Sequence, residues 1–399
     1  MKLTELEQRI VASVESRREA LLEDLRLHVG LPTGGGNKAA LDETRERFTG
    51  RLEKLGARTD QYPGDDKPGW LHGVGPGSTP PPSAVCRRLK EGKPRVLIAG
   101  HLDTVHDPEG DFRELSINPD GKTALGPGCV DMKGGLVIAV AALEALEEVG
   151  VESSWSFYFN SDEETGTYHS SARLREEAKG HDFGIALEPA LPGGELAIER
   201  MGAGQFMIET RGKSAHVGRA FTDGVSAVTK LAECLVAVGQ MPDPAKGKIL
   251  NVGPLLGGPV VNAVPDFARA WGNVRFPTSK EGDEIAAMLD ALETAEDAMP
   301  SVKVYRSFNR PPKPLIPATE QLGLKARTVA EDLGQSLPFK STGGVCDGNI
   351  MQDAGLPTID TLGVRGGGLH TPDEWIELDS LVERCGLLAV LVSRLCGGS

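Results

Sequence analysis

Phe159-Asn160-Ser161-Asp162-Glu163-Glu164-Thr165-Gly166 is an apolar strand pattern that ends in three consecutive acids and then a glycine. Three neighbouring carboxylates at a strand end repel one another unless cations neutralise them or one of them keeps its proton. Adjacent residues of a strand point to opposite faces, but at a frayed strand end Glu163 and Glu164 can both reach one pocket. The stretch therefore predicts half of a metal site, in which one carboxylate binds metal and the neighbouring carboxylate transfers protons.

Two further apolar segments end in residues that can bind metal. Residues 95–99 lead to His101, and residues 183–187 lead to Glu188. Between residues 95–99 and the acidic stretch, the spacing of apolar residues predicts a helix over 134–148. Strands that alternate with helices favour an open α/β sheet, whose ligand site is expected outside the carboxyl ends of its strands.

The second half of the chain follows a different order of elements. Residues 201–310 predict strand, helix, two strands, helix and strand, which indicates a compact α+β insertion with an antiparallel sheet. Pro311-Pro312-Lys313-Pro314 predicts the exit linker of this insertion. A strand at 356–359 and a helix at 378–395 then complete the first domain, which is therefore predicted to be discontinuous.

The first ninety residues carry no diagnostic motif, but they do predict secondary structure. Apolar residues recur at helical spacing over residues 3–29, which predicts one amphipathic helix. Residues 41–55 predict a second helix, and the Pro- and Gly-rich stretch 63–83 predicts a surface loop.

Composition narrows the class of protein. At 399 residues the chain is long enough for two or three domains. Its net charge of -14 argues against nucleic acid or an anionic membrane surface as a partner, so a small-molecule substrate is expected. Acids at positions 5 and 7 do not fit a secretory signal, and the six cysteines lack paired spacing. These features predict a cytoplasmic protein with reduced thiols.

The polar residues at the strand ends form a ligand set for metal. Asp103 lies two residues beyond His101, where it can accept the second imidazole N–H. Asp131 precedes the predicted helix in a Gly-rich stretch. Two histidines and three or four carboxylates suit zinc and are enough for two ions that share a bridging carboxylate. The candidates are His101, Asp131, Glu163, Glu164, Glu188 and His370.

Each of these positions also has an ordinary structural explanation. Asp131 could cap the helix that follows it, and a single histidine such as His370 in a loop is usually solvated. His106, His169 and His181 are interpreted as surface residues. These explanations must account separately for three motifs at the strand ends of one sheet, so a metal site is the better joint interpretation.

Five motifs occur in order between about residue 95 and the end of the chain. They are His101-Leu102-Asp103-Thr104-Val105, Gly126 to Gly135, Asp162-Glu163-Glu164, Leu187-Glu188-Pro189 and Gly212-Lys213-Ser214-Ala215-His216-Val217-Gly218. Together they resemble the co-catalytic zinc family of acetylornithine deacetylase, succinyl-diaminopimelate desuccinylase and glutamate carboxypeptidase. The resemblance implies a mixed-sheet α/β catalytic domain of zinc-exopeptidase (phosphorylase/hydrolase-like) type over residues 1–200 and 312–399. It also implies an inserted α+β, ferredoxin-like domain over residues 201–311, which would be both lid and homodimerisation domain.

The same resemblance implies a role for each candidate. Asp131 would bridge two zinc ions, with Co²⁺ or Mn²⁺ as substitutes, and its peptide bond to Met132 is expected to be cis. Glu163 would be the general base, and Asp103, the partner of the His101 imidazole, would also count among the catalytic residues. His101 and Glu188 would bind one zinc ion, and Glu164 and His370 would bind the other.

The resemblance also implies substrate-binding residues, some in the insertion and some in a later loop. His216 would stabilise the oxyanion and, in this family, commonly reaches the active site from the partner subunit of a dimer. Asn262 and Arg275 resemble the residues that hold the substrate's carboxylate and the oxyanion, and a guanidinium suits a carboxylate because it can donate two parallel hydrogen bonds. Gly343 and Gly344 resemble a Gly-Gly loop whose N–H groups would bind the same carboxylate.

The predicted activity is dizinc hydrolysis of an amide bond beside a free carboxylate, in an N-acyl amino acid or at the C terminus of a short peptide. Two alternatives stay open. A di-metal aminopeptidase would recognise a free amino terminus instead, although Arg275 and the Gly loop speak against it. A metal-loaded amino-acid-binding protein would keep the fold without turnover, although the presence of Glu163 disfavours it.

Overall fold

The structure is a computed structural model that describes residues 3–73, 82–295 and 297–397. Helices and strands alternate over residues 134–186, where the sequence predicts an α/β sheet. The helices are α1 (Glu5–Glu15), α2 (Arg18–Val29), α3 (Lys38–Lys54), α4 (Gly134–Glu148), α5 (Ser171–Ala178), α6 (Val217–Ala220), α7 (Ala227–Val238), α8 (Ser279–Asp290), α9 (Pro317–Asp332), α10 (Asp347–Asp353) and α11 (Asp379–Leu395).

The strands are short in the first part of the chain and longer in the insertion. They are β1 (Arg58–Tyr62), β2 (Ser83–Arg88), β3 (Val96–His101), β4 (Ser116–Ile117), β5 (Thr123–Leu125), β6 (Trp155–Asn160), β7 (Phe183–Ala186), β8 (Leu196–Arg200), β9 (Gly202–Arg211), β10 (Ala215–His216), β11 (Ile249–Gly257), β12 (Ala263–Val264), β13 (Phe267–Phe276), β14 (Ser301–Arg310), β15 (Phe339–Thr342), β16 (Thr358–Ile359), β17 (Gly366–Gly367) and β18 (Trp375–Glu377).

The main sheet is mixed, with its strands in the order β1-β2-β6-β3-β7-β16. β6, β3, β7 and β16 run parallel, whereas β2 pairs antiparallel with both β1 and β6. The predicted open α/β sheet is therefore confirmed. Because the three predicted strands β6, β3 and β7 are adjacent and parallel, their carboxyl ends meet at one edge of the sheet.

Alternate residues of the central strands pack into different hydrophobic cores. Val96 and Ile98 of β3 face a large core that includes α1 to α4, α9 and α11. Leu97 and Ala99 face a smaller core with α5 and α10. Side chains of a strand alternate between its two faces, and here both faces are covered, which explains why the central strands are apolar throughout.

Helix α4 lies in the larger core and fixes the position of the residues before it. Its bounds agree with the helix predicted over 134–148. A side-chain carbon added at Gly135 would lie only 2.4 Å from the carbonyl oxygen of Leu187, so glycine allows the helix to approach the end of β7 this closely. The turn that carries Asp131 is thereby brought to the carboxyl ends of the strands.

A second, antiparallel sheet has the order β11-β13-β9-β14 and packs against α7 and α8. Its elements follow the chain order β9-α7-β11-β13-α8-β14, which is the βαββαβ order of a ferredoxin-like fold. This confirms the predicted α+β fold of the insertion. Its hydrophobic core is a cluster of its own, separate from the two cores of the main sheet.

The single helix predicted over residues 3–29 is wrong, because α1 and α2 are separate helices. The Ser16 hydroxyl donates to the carbonyl oxygen of Ser13, a local bond that competes with helix continuation. Arg17 leaves helical geometry and pairs with Glu144 and Glu148 of α4. The break allows the apolar residues of both helices to reach the same core.

The hairpin formed by β1 and β2 was not predicted. The sequence of β1 is polar and its side chains are exposed or half-buried, so it lacks the apolar signal of the central strands. Of the loop predicted over 63–83, residue 83 belongs to β2, and residues 74–81 lie outside the described residues.

Candidate metal centre and cleft

Three of the predicted ligands meet where the central strands end. His101 ends β3, Asp131 lies in the turn before α4, and Glu164 follows β6. One ligand atom of each lies within 4.8 Å of the other two. His101 Nε2 is 3.2 Å from Asp131 Oδ1, and both residues are buried. The group has the donors and the spacing to hold a metal ion.

His370 brings a second imidazole to the other oxygen of Asp131. It lies in the loop between β17 and β18 with a positive φ of 63°. Its Nε2 atom is 3.5 Å from Asp131 Oδ2 and 3.4 Å from Glu164 Oε2. The two oxygens of Asp131 therefore face different histidines, which is the arrangement that a bridging carboxylate needs.

Glu188, the remaining predicted ligand, follows β7. Its Oε1 atom is buried and has no hydrogen-bond partner among the described residues. Burial raises the pKa of Glu188 well above its ordinary value, and the charges of Asp131 and Glu163 raise it further. A buried carboxylate oxygen without a partner costs free energy, and a cation beside these acids would remove that cost.

Burial and neighbouring charges also shift the pKa values of Glu164 and His370. Burial raises the pKa of Glu164 to about 8; His101 opposes the rise, and nearby carboxylates add to it. The carboxylate of Asp131 raises the pKa of His370 to about 9. Two imidazoles and three carboxylates, one with an unpaired buried oxygen, fit a pair of zinc ions.

Asp103 acts differently from the expectation. His101 Nδ1 lies 2.9 Å from the main-chain carbonyl oxygen of Asp103, whereas the nearest carboxylate oxygen is 3.5 Å away. The carboxylate instead accepts from the backbone N–H groups of Glu163, at 3.2 Å, and Glu164, at 3.0 Å. Asp103 therefore orients the imidazole through its backbone and holds the Glu163-Glu164 turn through its side chain. The Asp131-Met132 peptide bond is cis, as predicted.

Glu163 is paired with an arginine that the sequence analysis missed. Arg310 Nη2 donates to Glu163 Oε1 at 2.7 Å and to the carbonyl oxygen of Glu163 at 3.0 Å. Arg310 is buried, and its Nη1 lies 3.3 Å from Asp347 Oδ1. Burial raises the pKa of Glu163, and the charge of Arg310 opposes that rise. The sequence feature that could have indicated this role was an arginine at the end of the predicted insertion, directly before the Pro-rich linker.

Glu374 is a second residue that the sequence analysis missed. Its buried carboxylate accepts from the backbone N–H groups of Gly128 at 2.9 Å, Val130 at 2.9 Å and Asp131 at 3.0 Å. It also lies 2.5 Å from His106 Nε2, so the prediction of His106 as a surface residue is wrong. Glu374 thus holds the turn that positions Asp131. The sequence feature that could have indicated this role was an acid four residues after His370.

The other two histidines predicted at the surface are also enclosed. His169 is buried, and its Nδ1 atom lies 2.5 Å from the carbonyl oxygen of Asp65. His181 is half-buried, and its Nε2 atom lies 2.8 Å from Ser156 Oγ. Neither belongs to the metal group of the described residues.

A cleft of about 630 Å³ lies beside the metal group. Arg275 lines it from β13, and Gly344 lines it from the loop after β15. The Arg275 side chain donates from Nη1 to Asn273 Oδ1 at 2.7 Å, and burial lowers its pKa. The lining also includes Lys67, His72, Glu163, Glu164, Gln205, Asn309, Arg310 and His370.

The structure does not bring the other predicted substrate residues into this cleft. His216 and Asn262 are exposed and lie beside each other, since the Val217 N–H donates to the carbonyl oxygen of Asn262 at 3.1 Å. His216 Nδ1 accepts from the Gly218 N–H at 3.1 Å. Gly343 lines a separate cavity of about 250 Å³.

The sequence profile of the peptidase family M20/M25/M40 matches residues 97–394. This chain belongs to that family. The matched residues include the strand ends, the turn before α4 and the loop of His370, so the metal group lies within the family's shared region. Membership in M20/M25/M40 makes the chain a hydrolase of the metallopeptidase and amidohydrolase type.

Two relatives of this chain have names that describe different activities. Carboxypeptidase G2 from Pseudomonas sp. (strain RS-16) is 30% identical over 315 residues, which cover 77% of this chain and 75% of that protein. Succinyl-diaminopimelate desuccinylase from Methylorubrum populi is 27% identical over 330 residues, covering 76% of this chain and 83% of that protein.

Solved structures share the fold at lower identity. A tripeptidase from Staphylococcus aureus superposes with a TM-score of 0.74 at 21% identity, covering 95% of this chain and 98% of that chain. The M20 metallo-carboxypeptidase Sso-CP2 from Sulfolobus solfataricus gives a TM-score of 0.70 at 16% identity, covering 94% and 99%. No helix in the described parts of the chain is long and apolar enough to cross a membrane.

Proposed function

We propose that this M20/M25/M40 protein uses two zinc ions to hydrolyse an amide bond next to a free carboxylate. The substrate is an N-acyl amino acid or the C-terminal residue of a short peptide. The observation that carries the proposal is the position of Asp131, whose two carboxylate oxygens face His101 and His370. Glu163 follows the neighbouring strand end and supplies the acid–base group that such a centre needs.

The proposed ligands divide into two sets that share Asp131. His101 and Glu188 complete one set, and Glu164 and His370 complete the other. When bound, the ions lower the pKa of a water molecule and polarise the scissile carbonyl. Co²⁺ or Mn²⁺ would occupy the same donors.

Glu163 handles the proton in this proposal. Its carboxylate accepts the proton of the attacking water and returns it to the leaving amine. Arg310 binds Oε1, so Oε2 is the oxygen that carries the proton. The Asp103 carboxylate accepts a hydrogen bond from the backbone N–H of Glu163 and thereby keeps this base at the end of β6.

Arg275 is proposed to bind the free carboxylate of the substrate. Its guanidinium lines the cleft, and no carboxylate of the described residues lies within 4.0 Å of its nitrogen atoms. A half-buried guanidinium without an acidic partner favours a carboxylate ligand. Gly344, which lines the cleft, is proposed to add its backbone N–H group to the same carboxylate, whereas Gly343 lines the separate cavity.

The insertion is proposed to be a domain of residues 201–311 within a catalytic domain of residues 1–200 and 312–399, and to form a homodimer. His216 and Asn262 lie outside the cleft of their own chain, which supports a role in the partner's site. Phe221, at 65% exposure, and Val261, at 100%, lie in the segments beside them. Exposed apolar residues of this kind support an interface.

A cytoplasmic location and a small-molecule substrate are part of the proposal. The location is supported by the six cysteines, which are all buried and free. The net charge of -14 favours a small substrate over nucleic acid or an anionic membrane.

An aminopeptidase is the second candidate function, because aminopeptidase PepT from Bacillus cereus shares the fold of this chain. Such an enzyme has to bind the ammonium group of its substrate, whereas the Arg275 guanidinium in the cleft would repel it. The binding-protein alternative is disfavoured by Glu163, which has no function in binding alone.

Hydrolysis of a matched substrate panel tests the proposal. The zinc-reconstituted protein is assayed on N-acetyl amino acids and on dipeptides with either the amine or the carboxylate blocked, each with a chelated control. Metal-dependent cleavage that requires the free carboxylate supports the proposal. Cleavage that requires the free amine favours the aminopeptidase, and tight binding without cleavage favours a binding protein.

A further inference from the structure

Residues 63–73 form a loop, here the bridging loop, that contacts both sheets beside the cleft. On the side of the main sheet, the Asp65 N–H donates to the carbonyl oxygen of His169 at 2.8 Å. On the side of the second sheet, Trp271 Nε1 donates to the carbonyl oxygen of Trp70 at 2.7 Å. The bridging loop is therefore fixed at Asp65 and at Trp70, and the residues between these two points have a defined position beside the cleft.

Lys67 lies in the middle of the bridging loop and lines the cleft. Its Nζ atom donates to Thr165 Oγ1 at 2.6 Å, next to the Glu163-Glu164 turn. No carboxylate of the described residues lies within 4.0 Å of this ammonium group. The side chain is half-buried, and burial of an ammonium without a counter-ion costs free energy.

The other cations of the cleft show why Lys67 is distinctive. Arg310 is neutralised, since it pairs with Glu163 and Asp347. Arg275 contacts only neutral oxygens among the described residues, namely Asn273 Oδ1 and the carbonyl of Val274. Among the described residues, the cleft therefore presents two cations with no carboxylate within 4.0 Å, Arg275 from β13 and Lys67 from the bridging loop. Two such cations can bind two anionic groups of one substrate.

We infer that Lys67 is a specificity-determining residue that binds a second anionic group of the substrate. The inference rests on the proposed function, in which Arg275 takes the carboxylate beside the scissile amide. The second group is a carboxylate of the acyl part or of the leaving amino acid. An ammonium on a flexible stem suits such a terminal anion, because it acts as a point charge with three donors.

The test compares substrates that differ by one carboxylate, on zinc-loaded wild-type protein and Lys67→Met. N-acetylglutamate against N-acetylglutamine places the second anion on the leaving side, and N-succinyl-leucine against N-butanoyl-leucine places it on the acyl side. We expect Lys67→Met to lower kcat/KM for the preferred dianionic substrate by about 10- to 100-fold, the loss of one charged hydrogen bond. The kcat/KM for the monoanionic substrate of the same pair should change less than about twofold. Lys67→Arg should keep most of the preference for the dianionic substrate.

One control variant separates recognition from support of the loop. Thr165→Val removes the protein partner of Lys67 and should leave the preference in place. Equal losses of kcat/KM on both members of each pair would overturn the inference, because Lys67 would then only hold the turn. Wild-type turnover without any preference for the second anion would overturn it too, while the proposed function would stand.

Complete absence of turnover would instead count against the proposed function. The inference would then be decided by calorimetric binding of the same four compounds to the zinc-loaded proteins. Tighter binding of a dianionic compound that disappears in Lys67→Met would support it. Equal affinities for dianionic and monoanionic compounds would overturn it.

Discussion

The strand ends of the main sheet and the exposed edge of the insertion, formed by the paired strands β10 and β12, differ in what surrounds their functional side chains. At the strand ends, His101 and Asp131 are buried and Glu163 is held by Arg310. At the other edge, His216 and Asn262 are exposed and have only backbone neighbours in the hydrogen bonds described. One chain therefore supplies the proposed metal ligands and base, whereas the predicted oxyanion residues lack a site within that chain.

This difference indicates how the two regions respond to change. Substitutions at the strand ends should act within each chain, because the contacts there are internal. Substitutions at the exposed edge should act between chains, if a partner completes the site. The following experiments would sharpen or break this contrast.

The largest effect is expected for Glu163→Gln. The substitution removes the proton acceptor but keeps the side-chain size, so kcat should fall by about 100- to 10,000-fold. Zinc content by plasma mass spectrometry should stay at two ions per chain. Glu176→Gln, an exposed acid on α5, is the matched control. Loss of zinc from Glu163→Gln would show that Glu163 is a ligand and would exchange its role with that of Glu164.

A smaller loss is expected for His216→Ala, because it removes one oxyanion donor. We expect kcat to fall by about 100- to 1,000-fold while zinc content and melting temperature stay unchanged. Mixing this variant with Glu163→Gln should restore part of the activity, since a hybrid dimer contains one intact site. Absence of recovery after proven subunit exchange would place His216 in its own chain's site.

Glu374→Gln should weaken the metal site without removing a ligand. The neutral amide cannot accept as strongly from the three N–H groups of the turn, so zinc affinity should fall by about 10- to 100-fold. Competition with a chelator measures this affinity. Glu377→Gln, which changes a nearby ion pair with Arg365, should leave it unchanged. Unchanged zinc affinity in Glu374→Gln would limit Glu374 to a structural role.

The smallest effect is a pH dependence of stability in the chelated protein. The folded-state pKa of Glu164 is raised from 4.5 to about 8, so this group favours unfolding increasingly as pH rises through that interval. The pKa of His370 is raised from 6.5 to about 9, so its stabilisation is present below 6.5 and lost as pH rises through 9. Both shifts lower the unfolding free energy as the solution becomes alkaline.

Thermal melts of chelated protein between about pH 6 and 9 should therefore show a melting temperature that falls by a few degrees more than in the zinc-loaded protein. Glu164→Gln should reduce this extra fall. An equal pH dependence with and without zinc would contradict the assignment of these groups to the metal site.

The contrast between the two regions also explains what the sequence could predict. His101 and Glu164 follow apolar strands, and α/β architecture brings the ends of such strands together, so their proximity followed from local pattern alone. The ferredoxin-like order of the insertion followed in the same way, from the succession of strands and helices.

Residues that act through distant contacts could not be found in that way. Arg310 reaches Glu163 across 147 residues of sequence, and Glu374 reaches Asp131 across 243. The enclosure of His106 likewise depends on Glu374, and the break between α1 and α2 depends partly on Arg17 pairing with α4. These features arise from packing between segments, which residue spacing does not encode.

The most direct test of the central claim is anomalous diffraction at the zinc edge from crystals of the zinc-loaded protein. The account predicts two peaks about 3.5 to 4 Å apart, one on each side of the Asp131 carboxylate. His101 and Glu188 should bind one ion, and Glu164 and His370 the other. A single peak, or peaks that do not share Asp131, would contradict the proposed two-zinc centre.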